Sequence, residues 1–318
     1  MNAQLRLITF GPLIRNLQVL GKPLPKPVGA TAGNNVLQVY TFGSGSRTVL
    51  AWSGMHGNEH TSIRGTMEAL RTITDLWLTS RDLRLLYIPV LNVDGLALYT
   101  RENAVGVDVN RDAQSLETPE AQFLMQCIEE FHPDLCLNLH DQRTMYGVNN
   151  PVQPSVLSFL AAAADHARRV TRARIIAAHL INAFAHDSSL PIGRYDDGFN
   201  ANCFGDALMM KGIPTILFEA GQAQGDYERV DTVDAFAKAI ITVLDTFSNM
   251  SAPDDDAWDK YLTIPEQVNT VVDELHEENG LYYGVRYTEV AKGPNLKFLP
   301  GERFAIDGPH VGFHRDMR

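Results

Sequence analysis

Cysteine is scarce in this chain of 318 residues: Cys127, Cys136 and Cys203 are the only three, and no two form a CxxC pair. No dense disulfide framework is present, and the three are read as small apolar residues, as expected of a reduced compartment. No uninterrupted apolar run is long enough to cross a bilayer. Positive charge is in deficit, with 27 Lys and Arg against 38 Asp and Glu for a formal charge of −11, the wrong sign for a protein that binds by neutralising phosphates. Nucleic acid and anionic membranes are therefore not expected as partners, although a local basic pocket stays allowed. The amino-terminal stretch MNAQLRLITFGPLIRNLQ is interrupted by Arg15 and followed by no small-residue cleavage site. No signal peptide is read there, and the expected compartment is the cytoplasm.

What is present is an ordinary globular composition, 45% hydrophobic and 20% charged, which excludes whole-chain disorder. From about Arg47 onward short apolar runs alternate with longer amphipathic patterns. That alternation predicts an α/β fold with a mixed, mainly parallel sheet sandwiched by helices. Strands are expected at Thr48 to Ser53, Leu83 to Val90, Asp134 to His140 and Pro214 to Glu219. Helices are expected at Glu59 to Leu78, Pro119 to Phe131 and Asp231 to Phe247, with a helix-rich region from Val156 to Phe184. SSLPIGRYDDGFNANCFG (188–205) reads as a long surface loop, a common place for function. Residues 1–250 form one expected unit. Residues 249–260 are acidic and aperiodic, a linker pattern. The rest of 251–318 offers one more helical stretch and then the strand-like runs GLYYGVRYTEV and ERFAIDG, a small β-containing appendage.

The strongest local signal is SGMHGNEH (53–60), in which a strand ends in a glycine-containing turn that delivers His56 and Glu59 before a helix begins. Imidazole and carboxylate are both first-choice zinc ligands. The carboxyl end of a strand is where open α/β sheets place their ligands. A catalytic zinc takes three protein ligands and keeps a fourth position open. His140, closing DLCLNLH, is the candidate third, and Asp141 after it is either a supporting group or an exposed loop residue. A metal-activated water needs a base with no metal bond of its own. Glu219, at the end of PTILFE, sits where one is required; the alternative is a capping or salt-bridging carboxylate. TRENAVGVDVNRD (100–112) adds Arg101, Asn110 and Arg111. Guanidinium groups bind carboxylates and developing oxyanions, so two of them beside a zinc suggest an anionic substrate.

Taken together, HGNE, NVDG, GVDVNRD, NLHD and FEAG, in that order over residues 45 to 248, resemble the zinc carboxypeptidase family, which includes the succinylglutamate desuccinylase and aspartoacylase branch. The resemblance implies one zinc ion held by His56, Glu59 and His140, with Glu219 as general base and later proton donor. Arg101 would polarise the scissile carbonyl and stabilise the oxyanion, Asn110 and Arg111 would bind the substrate's terminal carboxylate, and Tyr195 is the closest match to the family's mobile tyrosine. The implied activity is that of a metallocarboxypeptidase hydrolysing a C-terminal amide bond. HGNE is also typical of the deacylase branch, which tends to carry a carboxyl-terminal β domain, so a deacylase of N-acyl amino acids is the alternative. NVDG and GVDVNRD look more like the peptidase branch. Side-chain preference falls to the loop region 186–212, with no residue singled out.

Two further readings compete. Residues 56–60 also spell H-x-x-E-H, the inverted zincin motif, in which His56 and His60 both bind zinc from one continuous helix. Gly57 and Asn58 are poor helix formers directly after a strand, which favours the turn. A catalytically silent carboxylate-binding protein is the remaining reading, and the presence of ligands, base and both arginines argues against it.

Overall fold

Residues 7–148, 152–269 and 271–306 are described here by a computed structural model of the chain. The first six residues of the stretch searched for a signal peptide, and the end of ERFAIDG with the residues after it, lie outside them. The amino-terminal apolar patch forms helix α1 (Phe10–Leu20), which buries Leu13 and Leu17. It leads into a hairpin that the sequence pattern does not announce, β1 (Lys22–Ala30) and β2 (Val36–Gly43). Then follow β3 (Arg47–Trp52), α2 (His60–Thr72), α3 (Asp75–Thr79), β4 (Leu83–Ile88) and α4 (Val93–Leu98). The single helix expected over Glu59 to Leu78 is thus two. Ile73 leaves helical geometry, and the Thr74 side chain restarts the chain as α3 by accepting the Trp77 N–H.

Helix α5 (Pro119–Phe131) has the predicted limits. Its Thr118 side chain accepts the Ala121 N–H, Pro119 occupies the first turn, and His132 ends it in the left-handed conformation. Strand β5 (Leu135–Asp141) is buried at every residue. A two-residue pair, β6 (Gly147–Val148) with β7 (Gln153–Pro154), precedes β8 (Leu157–Ala161). β8 corrects the helix-rich expectation for Val156 to Phe184, of which only α6 (Arg172–Ala185) supplies a helix. The expected loop 188–205 contains β9 (Ile192–Arg194) and the start of α7 (Phe204–Met210). β10 (Thr215–Ala220) and α8 (Val230–Asn249) follow.

The eight main strands lie in the order β1-β2-β4-β3-β5-β10-β8-β9. β4, β3, β5 and β10 run parallel, β8 is antiparallel to β10, and the β1–β2 hairpin closes the other edge. Helices cover this mixed sheet, so the α/β expectation describes the architecture. The acidic stretch after α8 leads into α9 (Ala257–Leu262), which packs on α6. No helix follows Leu262 among the described residues. Instead β11 (Glu274–Glu278), β12 (Leu281–Lys292) and β13 (Asn295–Ile306) form a small antiparallel sheet. Among the described residues no helix is long and apolar enough to cross a membrane.

Candidate metal centre and substrate cavity

The parallel register of the main sheet sets the site. Glu219 on β10 lies opposite His140 on β5, and Trp52 at the end of β3 lies opposite Asn138. The carboxyl ends of three neighbouring strands therefore open on one place. Beyond β3 the chain turns through Gly54, whose φ of +59° is left-handed and suits glycine. Gly57 then passes so close to α4 that a Cβ would sit 1.9 Å from the carbonyl carbon of Gly95. No side chain fits there, and the tight passage turns His56 and Glu59 inward.

His56 Nδ1 lies 2.7 Å from Glu59 Oε1, His140 Nδ1 lies 2.8 Å from Glu59 Oε2, and the two Nδ1 atoms are 3.2 Å apart. All three side chains are buried. Two imidazoles and a carboxylate form a zinc donor set, and 3.2 Å is close to the separation of neighbouring ligands about 2.0–2.1 Å from one tetrahedral ion. The surrounding contacts also suit a metal. His56 Nε2 lies 3.1 Å from Asp108 Oδ1, the carboxylate partner that orients a ligating histidine. Asp141, left open between a supporting group and a loop residue, is buried: its carboxylate accepts the N–H groups of Thr61 and Ser62 at 2.6 Å each, and its own N–H donates to Glu59 Oε2. It pins the start of α2 to the Glu59 carboxylate. Burial opposes the charge on Glu59, but the facing histidines hold its carboxyl well below the usual range.

His60 does not join the group. It is the first residue of α2, its Nε2 approaches the Gly57 carbonyl and its Nδ1 accepts the Ile8 N–H, while His56 lies outside the helix. The geometry required of an inverted zincin is absent.

The cavity beside this cluster measures about 430 Å³ and is lined by His56, Glu59, Arg101, Asn110, Arg111, Tyr195 and Glu219 among others. Arg101 donates from Nε to Asp108 Oδ2 at 3.0 Å, and its Nη1 stands 3.7 Å from Glu59 Oε1, at the mouth of the cluster. The Arg111 guanidinium is exposed and donates to the Asn110 carbonyl and the Cys203 sulfur. Asn110 Oδ1 accepts the Phe204 N–H at 3.1 Å, which couples GVDVNRD to α7. Tyr195 directly follows β9; its N–H bonds the Phe159 carbonyl, and its ring meets that of Tyr146 edge-on at 5.9 Å. Burial, with repulsion from Glu59 and Asp141, pushes the Glu219 carboxyl well above its ordinary range, which suits a proton acceptor at neutral pH.

Sequence reasoning missed Asp108, Asp206 and Arg143, each part of the site or its support. Asp108 stands inside GVDVNRD and was visible there. Arg143 lies three residues past His140, lines the same cavity and is gripped from the small sheet: it ion-pairs with Glu289 of β12, which also accepts from Tyr99 at 2.6 Å and Arg229 at 3.2 Å. No local signal could have announced a partner 146 residues away.

No protein-family model matches the sequence, and no curated protein matches it. Solved structures do. A metallo-carboxypeptidase from Burkholderia cenocepacia superposes with a TM-score of 0.56 at 14% identity over 74% of this chain and 68% of that one. A metallo-carboxypeptidase from Pseudomonas aeruginosa in complex with (2-guanidinoethylmercapto)succinic acid gives 0.57 at 15% identity over 79% and 68%. A succinylglutamate desuccinylase/aspartoacylase from Rhodobacter sphaeroides gives 0.50 at 20% over 72% and 65%.

Proposed function

With the fold of the zinc carboxypeptidases and desuccinylases as premise, we propose that this protein is a zinc-dependent metallocarboxypeptidase that hydrolyses the C-terminal amide bond of a peptide. The observation that carries the reading is the convergence of His56, Glu59 and His140 beside a cavity that also receives Glu219, Arg101 and Arg111. A zinc ion held by the three ligands would polarise the scissile carbonyl and make water acidic enough to attack it. The Arg111 guanidinium, with Asn110 beside it, anchors the substrate's terminal carboxylate. That contact fixes which bond is presented to the cluster. Glu219 takes the proton from the attacking water as the new C–O bond forms. Arg101 donates to the oxyanion that develops on the former carbonyl. When the C–N bond breaks, Glu219 returns its proton to the leaving amine, so the base is regenerated each turn. Tyr195 borders the cavity from the β9 side and closes over the bound residue.

One observation favours a second reading. Arg143 puts a third guanidinium on the cavity wall, and Glu289 of the small sheet holds it there. An additional carboxylate on the acyl side, as in an N-acyl amino acid bearing a diacid, would find a partner in it. The test is hydrolysis by zinc-replete protein on two panels: blocked peptides with free carboxyl termini, and N-acyl amino acids. Release of terminal amino acids from peptides supports the carboxypeptidase, preference for the second panel supports the deacylase, and silence on both with zinc bound favours a carboxylate-binding protein. The location is proposed to be the cytoplasm.

A further inference from the structure

His60 closes SGMHGNEH, and the proposed chemistry leaves it without a task. It is nevertheless 3% exposed, with both ring nitrogens bonded. The Ile8 N–H points at Nδ1 from 3.2 Å, so Nδ1 is the accepting nitrogen and the ring proton sits on Nε2. Nε2 therefore donates to the Gly57 carbonyl at 3.1 Å. The ring also meets that of Tyr99 edge-on, with centroids 5.1 Å apart and planes at 89°. Tyr99 directly follows α4. The imidazole is thus held by the amino-terminal segment and by the end of α4, and its one donor goes to the turn between His56 and Glu59.

That turn needs a hold from outside. The Gly54 carbonyl accepts the Asn92 N–H at 2.8 Å, the His56 carbonyl accepts the Glu59 N–H at 3.2 Å, and the Glu59 carbonyl accepts the Ser62 hydroxyl at 3.2 Å. The buried Gly57 carbonyl has only the His60 ring among the described residues. Glycine has no Cβ to narrow its own φ and ψ, and the close pass of α4 forbids any other residue here. The orientation of this peptide must therefore be imposed by a neighbour. His60 is suited to impose it, because it is the first residue of α2 and Asp141 fixes the next two N–H groups of that helix. A buried carbonyl that loses its donor is costly, and rotation of the Gly57 peptide would re-aim Glu59 against His56, whose Nδ1 lies 2.7 Å from Glu59 Oε1.

We infer that His60 is a positioning residue for the metal centre: its Nε2–H fixes the Gly57 peptide, and through it the placement of His56 relative to Glu59, before an ion arrives. Ligands held in place beforehand bind more tightly, because less order has to be imposed on binding. The inference rests on the zinc reading for the ion that the turn receives, but the posture of the turn in the metal-free chain does not. His60 does not line the substrate cavity.

Three substitutions separate the bonds of the ring. Glutamine places a donor as many bonds from the backbone as Nε2, asparagine places an acceptor where Nδ1 stands, and phenylalanine keeps only the contact with Tyr99. Zinc affinity is measured by chelator competition on wild type, His60→Gln, His60→Asn and His60→Phe, beside hydrogen exchange of the metal-free proteins. The expected result is zinc held at least about tenfold more weakly by His60→Asn and His60→Phe, and within about threefold of wild type by His60→Gln. Exchange over residues 53–59 should rise in His60→Asn and His60→Phe alone, with β5 and β10 still protected. Should His60→Phe fail to fold, His60→Gln against His60→Asn decides. Equal zinc affinity in every variant, or a His60→Gln as weak as His60→Asn, overturns the inference. So does a cobalt-loaded His60→Gln whose visible spectrum differs from that of wild type, which would make His60 a ligand. If the wild type takes up no zinc, the zinc reading falls and exchange alone decides: the same order of variants upholds the role of His60, and uniform exchange removes it.

Discussion

The main sheet and the small carboxyl-terminal sheet are held by different forces. In β5 every residue is buried, and His140 and Glu219 are placed by a register that hydrophobic packing enforces. A one-residue slip would exchange the two buried faces, putting Leu137 and Leu139 where Asn138 and His140 now point. In β12 only Gly284 and Val285 are buried, and in β13 only Leu296, with Leu299 to Arg303 facing solvent. The small sheet is instead fastened by charge: Glu289 bridges Arg143 and Arg229, Tyr99 donates to it, and Tyr227 donates to Asp273 at 2.6 Å. Each part is therefore vulnerable in its own way. The cluster of ligands should tolerate conditions that release the small sheet, while Arg143 should not keep its place once Glu289 is lost.

Perturbing each part separately puts this contrast at risk. The largest effect is on chemistry: on the proposed reading Glu219→Gln should lower turnover by about 10²–10⁴-fold while zinc content and unfolding temperature stay at wild-type values, because Glu219 lies outside the His56–Glu59–His140 group and the replacement keeps its shape. Next, Glu289→Ala removes the carboxylate partner of buried Arg229 and part-buried Arg143 and should cost about 3–5 kcal/mol. That loss should appear as hydrogen exchange across β11–β13 with β5 and β10 still protected. Comparable loss of protection in both sheets would erase the distinction.

Acid should act in the same direction by a smaller amount. Burial alone would raise the Glu289 carboxyl, but Arg143 and Arg229 carry it from 4.5 down to about 2. A carboxyl depressed on folding stabilises fully above its unfolded value and loses that contribution as pH falls through its folded one. The docking of the small sheet should therefore weaken between about pH 4.5 and 2, by about 3 kcal/mol at most, and exchange in Leu281–Lys292 measured across that range reads it. The smallest effect is on the exposed pair Arg303–Glu278, within the same sheet. Solvated ion pairs contribute little, so Arg303→Ala should leave the urea midpoint unchanged.

Much of this was legible in the sequence wherever local chemistry and tertiary packing agreed. Helix α5 keeps its expected limits, with Pro119 in its first turn. The strands carrying His140 and Glu219 fall within one residue of their expected limits, because buried parallel strands read as apolar runs. His56 and Glu59 sit in a turn that Gly57 makes obligatory, so a short motif was enough to mark them as candidates. Legibility failed where packing overrode propensity. LSFLAAAA (157–164) favours a helix by its leucine and alanine content, yet its first five residues form β8 because β10 offers an unpaired edge. Lys22–Ala30 holds three prolines and reads as loop, but edge strands accept proline. Arg143 escaped for another reason: its place depends on Glu289, a partner that only the fold brings near.

In the proposed reaction one zinc site formed by His56, Glu59 and His140 works with a base, Glu219, that does not bind the metal. Zinc stoichiometry and peptide hydrolysis measured together on the wild type and Glu219→Gln test it most directly. One zinc per chain is expected in both proteins, with C-terminal amino acids released by the wild type alone; equal turnover by the two, or zinc lost with Glu219, would overturn the assignment.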